Sequence, residues 1–329
     1  MLKLFVKIRK VFKEQGGWLL VKQYRKLHVL LYAVVLLPFF ITNKKGLEIY
    51  REAIDRKKFK NIKKHFLNKR IEMSLSPDSF EQRKETIPNR PVWIMWYQGF
   101  DKAPKIVKNN LEILRKVVGS NRVITITEDN VYEYIKLPTF ILEKYNKGLI
   151  SKTHLSDLIR LELLTRYGGI WIDSTVMITS DKLPKYLEES DFFVPQILKP
   201  GLDGKTTFVS NWLIASKPNN QITIRLLDLL YTYWKVNDFL TDYFIFHKLL
   251  QIVFIENEEM YRSILPVDNS QMHSILISVL KDNHDEKQMI KQLHLTDFQK
   301  FSNKLDSVQK EKIERIQKFR MEELENEPY

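Results

Sequence analysis

The sequence contains no cysteine among its 329 residues, so disulfide bonds and thiolate metal sites are excluded. It also lacks an apolar run of the roughly 20 residues that a helix needs to cross a bilayer. The most apolar run, residues 29–41, has 13 residues and contains Pro38. There is no internal repeat and no low-complexity segment. A hydrophobic content of 44% is enough for a sizeable core, and the absence of cysteine is compatible with the cytosol.

Positive charge is confined to one end of the chain. Residues 1–70 contain 19 Lys and Arg against 4 Asp and Glu, whereas residues 71–329 contain 34 against 36. The net charge of +13 therefore comes entirely from the N-terminal segment. Basic residues stand on both sides of the apolar run 29–41, namely Lys22, Arg25, Lys26, Lys44 and Lys45.

An apolar run between basic residues is typical of a segment that lies in one leaflet of a membrane. Each Lys or Arg beside an anionic leaflet adds about 1 kcal/mol of attraction. We therefore predict peripheral or monotopic attachment to the anionic, cytoplasmic face of the cell membrane. The alternative is that residues 29–41 form a helix buried against the rest of the protein. We expect no nucleic-acid partner, because the lysines surround an apolar segment and do not interleave with single aromatic residues.

After residue 86, strand-like and helix-like patterns alternate. Residues 91–98 and 123–127 have the composition of buried strands, and residues 104–118 have helical periodicity. This alternation predicts an α/β fold with a largely parallel sheet. Three regions are predicted: a basic, membrane-associating helical region and linker over 1–85, a catalytic domain over 86–270, and a helical tail over 271–329. In the tail, a long amphipathic helix is predicted from the spacing of Phe298, Phe301, Leu305 and Val308.

Residues 151–175 carry the strongest functional signal. Asp157 and Arg160 share one face of an apolar helix, Gly168-Gly169 ends that helix, and Asp173 follows an apolar strand. Ligands of open α/β sheets lie beyond the carboxyl ends of the strands, where carboxylates can bind hydroxyls and a divalent cation. We therefore predict a nucleotide-sugar site. Taken singly, each feature also has an ordinary explanation, since i,i+3 Asp–Arg pairs on a surface contribute about 0.2–0.5 kcal/mol.

The same block resembles a known family. S-D-L-I-R at 156–160 and L-L-T-R-Y-G-G-I-W-I-D-S-T at 163–175 are similar to the capsular polysaccharide synthesis glycosyltransferases, relatives of the family 32 sugar transferases. Looser similarity extends to P-V-W-I-M-W-Y-Q-G at 91–99, N-W-L-I-A at 211–215 and D-Y-F-I-F-H at 242–247. The resemblance implies a GT-A type, Rossmann-like fold with helical additions at both ends.

The resemblance also implies an activity. It indicates an enzyme that moves a hexose, with retention, from a nucleoside diphosphate sugar to a polysaccharide or lipid-linked oligosaccharide during capsule or surface polysaccharide synthesis. We expect the donor to be a UDP-sugar. Asp157 and Arg160 would hold its sugar, and Asp173 its ribose and a metal ion.

The sequence departs from the family at the motif that would bind a metal ion. The family usually reads D-x-D where this chain has Asp173 and Thr175. A hydroxyl is a weaker ligand for a hard cation than a carboxylate. By analogy with related folds, His247 is predicted as a further ligand, so Mn²⁺ or Mg²⁺ would be held by Asp173, Thr175 and His247. Asp173 and Asp242 are predicted to be catalytic, Asp242 by orienting the acceptor hydroxyl or stabilising positive charge at the anomeric carbon.

Four further residues are predicted to bind substrate. Trp96 at a strand end can stack on the base, beside Gln98 and Gly99, where a glycine lets the backbone approach the nucleotide. Asn211 can contact donor or acceptor hydroxyls. Trp96 as a core aromatic and Asn211 as a turn residue remain open alternatives. The alternative function is a non-catalytic, membrane-associated protein that binds a sugar nucleotide, and Thr175 is the feature that favours it.

Overall fold

The computed structural model describes residues 16–41, 43–68, 75, 86–198, 206–283 and 285–326. The end of the predicted region 1–85, which was expected to contain a linker, lies largely outside these ranges, as do the first 15 residues.

Among the residues that the structure describes, seven strands form two sheets: β1 (Val92–Met95), β2 (Val123–Ile126), β3 (Gly169–Ile172), β4 (Val176–Ile178), β5 (Phe192–Phe193), β6 (Leu213–Ser216) and β7 (Phe298–Lys300). The central sheet has the order β2-β1-β3-β6-β5. Strands β2, β1 and β3 are parallel, and β6 pairs antiparallel with both β3 and β5. Strands β4 and β7 form a separate antiparallel pair. The α/β prediction with a mainly parallel sheet is confirmed.

Fourteen α-helices are seen in the described ranges. They are α1 (Trp18–Lys26), α2 (Leu30–Phe40), α3 (Lys44–Asn68), α4 (Lys105–Val118), α5 (Val131–Tyr134), α6 (Thr139–Asn146), α7 (Lys152–Tyr167), α8 (Lys185–Glu188), α9 (Gln221–Val236), α10 (Ile245–Glu256), α11 (Glu258–Arg262), α12 (Ser274–Lys281), α13 (Glu286–Leu293) and α14 (Ser307–Asn326). The predicted helix over 104–118 and the predicted strands over 91–98 and 123–127 correspond to α4, β1 and β2.

The central sheet separates two hydrophobic clusters. Along β3, Trp171 packs into one cluster, while Ile170 and Ile172 pack into the other. This alternation follows from the two-residue repeat of a strand. Because β3 is the middle strand and all four of its residues are buried, the residue that follows it is held in a fixed position.

Helix α3 packs on α10 through buried ion pairs. Lys58 Nζ lies 3.0 Å from Asp242 Oδ2, and Lys248 Nζ lies 2.6 Å from Asp55 Oδ1 and 3.1 Å from Asp242 Oδ1. The side chain of Lys248 has no exposed surface. These contacts join the basic N-terminal region to the sheet domain. We call Asp55, Lys58, Asp242 and Lys248 the buried ion-pair network.

Helix α2 exposes most of its apolar side chains. Leu31, Val34, Val35 and Phe39 are between 56% and 77% exposed, and Ala33 is the buried residue of the helix. The alternative of a helix fully buried against the protein does not describe this exposure. In the described part of the chain, no helix has the length and apolar character to cross a membrane.

The prediction of a long helix from Phe298 onwards is wrong for its first part. Phe298 to Lys300 form β7, whose residues pair with Val176 to Ile178, and the helix begins only at Ser307. The spacing of the apolar residues fitted a helix, but Phe298 is buried by pairing with β4. Helix α14 then packs on α4. The residues after 270 therefore share a core with the sheet domain, while the predicted domain boundaries stay predictions.

Candidate functional site

The site is built from the turn between α7 and β3. Helix α7 begins at Ser151, whose hydroxyl accepts a hydrogen bond from the His154 backbone N–H at 3.3 Å. Gly168 and Gly169 end it with φ values of 66° and 96°. A Cβ at Gly169 would lie 2.2 Å from the Pro91 carbonyl oxygen, so only glycine lets the chain pass this close to β1. Asp173 is thereby fixed opposite the face of α7 that carries Arg160.

Arg160 joins the two predicted carboxylates. Its guanidinium lies 3.1 Å from Asp173 Oδ1 and 3.3 Å from Asp157 Oδ1, and it donates to the backbone carbonyl of Asn211 at 2.5 Å. The guanidinium carbon lies 4.9 Å from the centre of the Trp171 ring, a cation–π distance. Because the Arg160 side chain is 5% exposed, this geometry is held by packing as well as by charge.

Asp157 is oriented by further partners. Its Oδ1 accepts a hydrogen bond from Asn211 Nδ2 at 2.9 Å, and its Oδ2 lies 3.2 Å from His154 Nδ1. Both oxygens are therefore engaged within the protein. The structure brings Asp157, Arg160, Asp173 and Asn211 together, and Asp157 here orients Arg160 and Asn211.

Asp173 has two cationic neighbours. Its Oδ1 also accepts from Trp171 Nε1 at 2.9 Å, and its Oδ2 accepts from Lys300 Nζ at 3.1 Å. Burial alone would raise the pKa of Asp173, but the charges of Lys300 and Arg160 outweigh it and hold the pKa below the usual value. Asp173 is thus a carboxylate at neutral pH. We call Asp157, Arg160, Asp173, Asn211 and Lys300 the Arg160 cluster.

The predicted metal site does not fit this arrangement. Lys300 donates to the hydroxyl of Thr175 as well as to Asp173, so its ammonium stands between the two residues expected to hold the ion. A divalent cation there would meet the charges of Lys300 and Arg160 at close range. Within the described ranges, no group of three or more His, Asp or Glu side chains is arranged to hold a metal ion.

Trp96, Gln98 and Gly99 form the loop that follows β1. Trp96 is half-buried and Gln98 is exposed. Gly99 has a φ of 88°, and a Cβ there would meet no atom within 4 Å. Because β1 is the parallel neighbour of β3, this loop and Asp173 leave the sheet at the same edge. Their predicted role in nucleotide binding stays a prediction.

Asp242 and His247 belong to another part of the fold. Asp242 is 3% exposed, sits in the buried ion-pair network and accepts from the Phe244 N–H at the start of α10. Burial would raise its pKa, but Lys248 and Lys58 lower it overall. In the part of the chain described, no hydrogen bond or ion pair joins Asp242 to the Arg160 cluster, so its contacts favour a structural role over the predicted catalytic one.

The pKa of His247 is affected by the charges of Asp157 and Arg160 and also by those of Lys248 and Asp242. Burial lowers the pKa of His247 to about 4, so the ring is neutral at pH 7. Its Nδ1 is buried without a hydrogen-bond partner among the described residues. Its predicted role as a metal ligand stays a prediction.

Sequence reasoning missed Lys300, His154 and Trp171. Lys300 lies 127 positions from Asp173, and only the pairing of β4 with β7 brings it there. Trp171 carried a usable signal, because its ring follows the two-residue repeat of β3 and its N–H points to the acid two positions later.

Comparison with known proteins finds two curated relatives. The chain is 26% identical over 168 residues to the O-glycosyltransferase PaGT of Phomopsis amygdali, and 27% identical over 173 residues to the O-glycosyltransferase braB of Annulohypoxylon truncatum. These matches cover 46% and 47% of this chain but only 40% of each relative. The chain therefore spans less than half the length of these relatives.

A solved structure, the PaToxG glycosyltransferase, aligns over 82% of this chain and 96% of its own at 17% identity, with a TM-score of 0.33. The sequence pattern of the family described as "Capsular polysaccharide synthesis protein" matches residues 44–319. The relation to family 32 stays a prediction. The chain belongs to the capsular polysaccharide synthesis protein family, as its central block predicted.

Proposed function

We propose that the protein is a glycosyltransferase that moves a hexose from a nucleoside diphosphate sugar to a hydroxyl of a polysaccharide or lipid-linked oligosaccharide. The observation that carries the proposal is the Arg160 cluster, in which one buried guanidinium joins Asp157 and Asp173 beyond the carboxyl end of β3. Both relatives are named O-glycosyltransferases, which supports the same reaction class.

Different residues of the site would bind different parts of the donor. The loop with Trp96, Gln98 and Gly99 lies at the same sheet edge as Asp173, which suits a base on the loop and a ribose at the Asp173 carboxylate. Asn211 and Arg160 offer hydrogen-bond donors to sugar hydroxyls or phosphate oxygens. A UDP-sugar, retention at the anomeric carbon and a role in capsule or surface polysaccharide synthesis complete the proposal.

Transfer can be tested with a panel of nucleoside diphosphate sugars and both acceptor classes, by following nucleoside diphosphate release and product mass. Asp173→Asn should lower transfer by about 100-fold, because it removes the negative charge that holds Arg160 and Lys300 in place. The matched control is Asp191→Asn, since Asp191 forms an exposed ion pair with Lys217 and should leave transfer unchanged. Equal transfer by wild type and Asp173→Asn would remove the assignment of this site.

The second candidate is a non-catalytic protein that binds a sugar nucleotide. The presence of Thr175 in place of the usual second acid favours this candidate. Calorimetry separates the two candidates, because binding of a donor with no turnover across the whole panel supports the second one. The anomeric configuration of any product, read by NMR, decides whether transfer occurs with retention.

We also propose that the N-terminal helices attach the protein to an anionic membrane surface. The exposed apolar side chains of α2 are flanked by basic residues on α1 and α3, including Lys26 and Lys44. Wild type should sediment with vesicles that contain phosphatidylglycerol and not with pure phosphatidylcholine. Phe39→Glu should weaken this binding about tenfold or more, whereas Leu280→Glu, an equally apolar exposed site on α12, should not. Equal effects of the two variants, or preferred binding to DNA, would contradict the proposal.

A further inference from the structure

Lys300 stands where a glycosyltransferase of this kind would be expected to place a metal ion. Its ammonium contacts Asp173 Oδ2 at 3.1 Å and the Thr175 hydroxyl, the two side chains of the D-x-T sequence. The side chains of Lys300 and Asp173 are 17% and 26% exposed, so both reach solvent at the site. Both side chains are therefore partly accessible from solvent.

The backbone fixes Lys300 in this place. Strand β4 begins directly after Thr175, and its first residue, Val176, is paired with Lys300 of β7. The next residue, Phe301, donates its backbone N–H to the Thr175 carbonyl at 2.8 Å. These contacts hold the Lys300 backbone beside the D-x-T sequence whatever rotamer its side chain adopts.

The charges of the site already balance without an ion. Asp157 and Asp173 contribute two negative charges, and Arg160 and Lys300 contribute two positive ones at 3.1–3.3 Å. A nucleoside diphosphate brings further negative charge, which a lysine ammonium and an arginine guanidinium can both bind. Of the two cations, Lys300 is the more exposed, so it is the one placed to receive phosphate oxygens.

We propose that the ammonium of Lys300, in place of a divalent cation, binds the diphosphate of the donor and stabilises it as the leaving group. The inference rests on the proposed function. In transfer, the bond between the anomeric carbon and the diphosphate oxygen breaks and its electron pair remains on that oxygen, beside Lys300. The acceptor oxygen bonds to the anomeric carbon, and its proton passes to solvent.

Binding of UDP, measured by calorimetry in excess EDTA and again with Mn²⁺ or Mg²⁺, tests this inference on the full chain. Wild type should bind UDP in EDTA, and either ion should change the dissociation constant by less than about threefold. Lys300→Met should weaken binding about 10- to 100-fold, the range for loss of a hydrogen bond to a charged group. Lys300→Arg keeps the charge and should recover most of the affinity. The control is Lys318→Met on α14, whose side chain is 76% exposed and which should bind UDP as wild type does.

The outcomes separate the two proposals. Binding of UDP that appears only with Mn²⁺ or Mg²⁺, or wild-type affinity in Lys300→Met, overturns the role of Lys300 and leaves the transferase proposal standing. No binding of UDP or of any other nucleoside diphosphate under either condition overturns both. Thermal unfolding shows whether Lys300→Met folds. If it does not, the role of Lys300 is still tested by wild-type UDP binding with and without EDTA and by the Lys300→Arg variant.

Discussion

Replacing Lys248 by Met should destabilise the protein far more than replacing a surface lysine. The Lys248 ammonium is fully buried and lies 2.6 Å from Asp55 and 3.1 Å from Asp242. Removing one partner of a buried ion pair costs about 3–5 kcal/mol, because the remaining charge stays buried. We expect about 3 kcal/mol, the lower end, because Lys58 still pairs with Asp242 and Asp55 is 23% exposed.

Lys217→Met is the matched control. Lys217 pairs with Asp191, but the two side chains are 58% and 71% exposed, so the loss should be below about 1 kcal/mol. Urea unfolding at pH 7 measures both changes, with one m value for the three proteins. A free energy of unfolding for Lys248→Met within about 1 kcal/mol of that for Lys217→Met would refute the reasoning.

Asp242→Asn separates structure from catalysis at the same network. Because the pKa of Asp242 is lowered in the folded protein, its ion pairs stabilise the fold at neutral pH and are lost only as pH falls through that lowered pKa. We expect Asp242→Asn to unfold at lower urea concentration while the folded fraction keeps a near-normal kcat. A large loss of kcat with unchanged stability would instead support the catalytic role predicted from the sequence.

Two further predictions concern single positions. Gly169→Ala should lower the free energy of unfolding in urea by about 1–3 kcal/mol more than Gly148→Ala does. Both glycines have a positive φ, but only at Gly169 would an added Cβ meet the Pro91 carbonyl. Equal losses in the two variants would contradict this. The pKa of His247 is about 4 in the folded protein, below the ordinary 6.5, so between pH 4 and 6.5 the unfolded chain binds more protons than the folded one. The free energy of unfolding should therefore rise with pH over this range, by up to about 3 kcal/mol. In EDTA, the free energy of unfolding of His247→Phe should rise less steeply between pH 4 and 6.5 than that of wild type. The same slope in both proteins would show that the His247 ring is not desolvated.

The parts of the site that the sequence predicted are those encoded locally. Asp157 and Arg160 are three positions apart on one helix, and a Gly-Gly turn delivers Asp173 a few residues later, so short-range periodicity was sufficient to place them together. Asn211 comes two positions before β6, so its place beside Asp157 depends on the pairing of β6 with β3, which the sequence did not show.

The parts that were missed depend on contacts between distant segments. Lys300 reaches Asp173 through a strand that the apolar spacing had assigned to a helix, because three or four positions between apolar residues also fit short strands and loops. Asp242 had the residue type and motif position of a catalytic acid, but its partner Lys58 is 184 positions away in the N-terminal helices. Periodicity cannot show such pairing, since it reports the face of one element and not its neighbour.

The most direct test of the central claim is an experimental structure of the protein with UDP bound. We predict diphosphate oxygens within about 3 Å of the Lys300 ammonium, with the Arg160 guanidinium still joined to Asp173. UDP held elsewhere on the protein, or a metal ion standing between Asp173 and the diphosphate with Lys300 displaced, would contradict it.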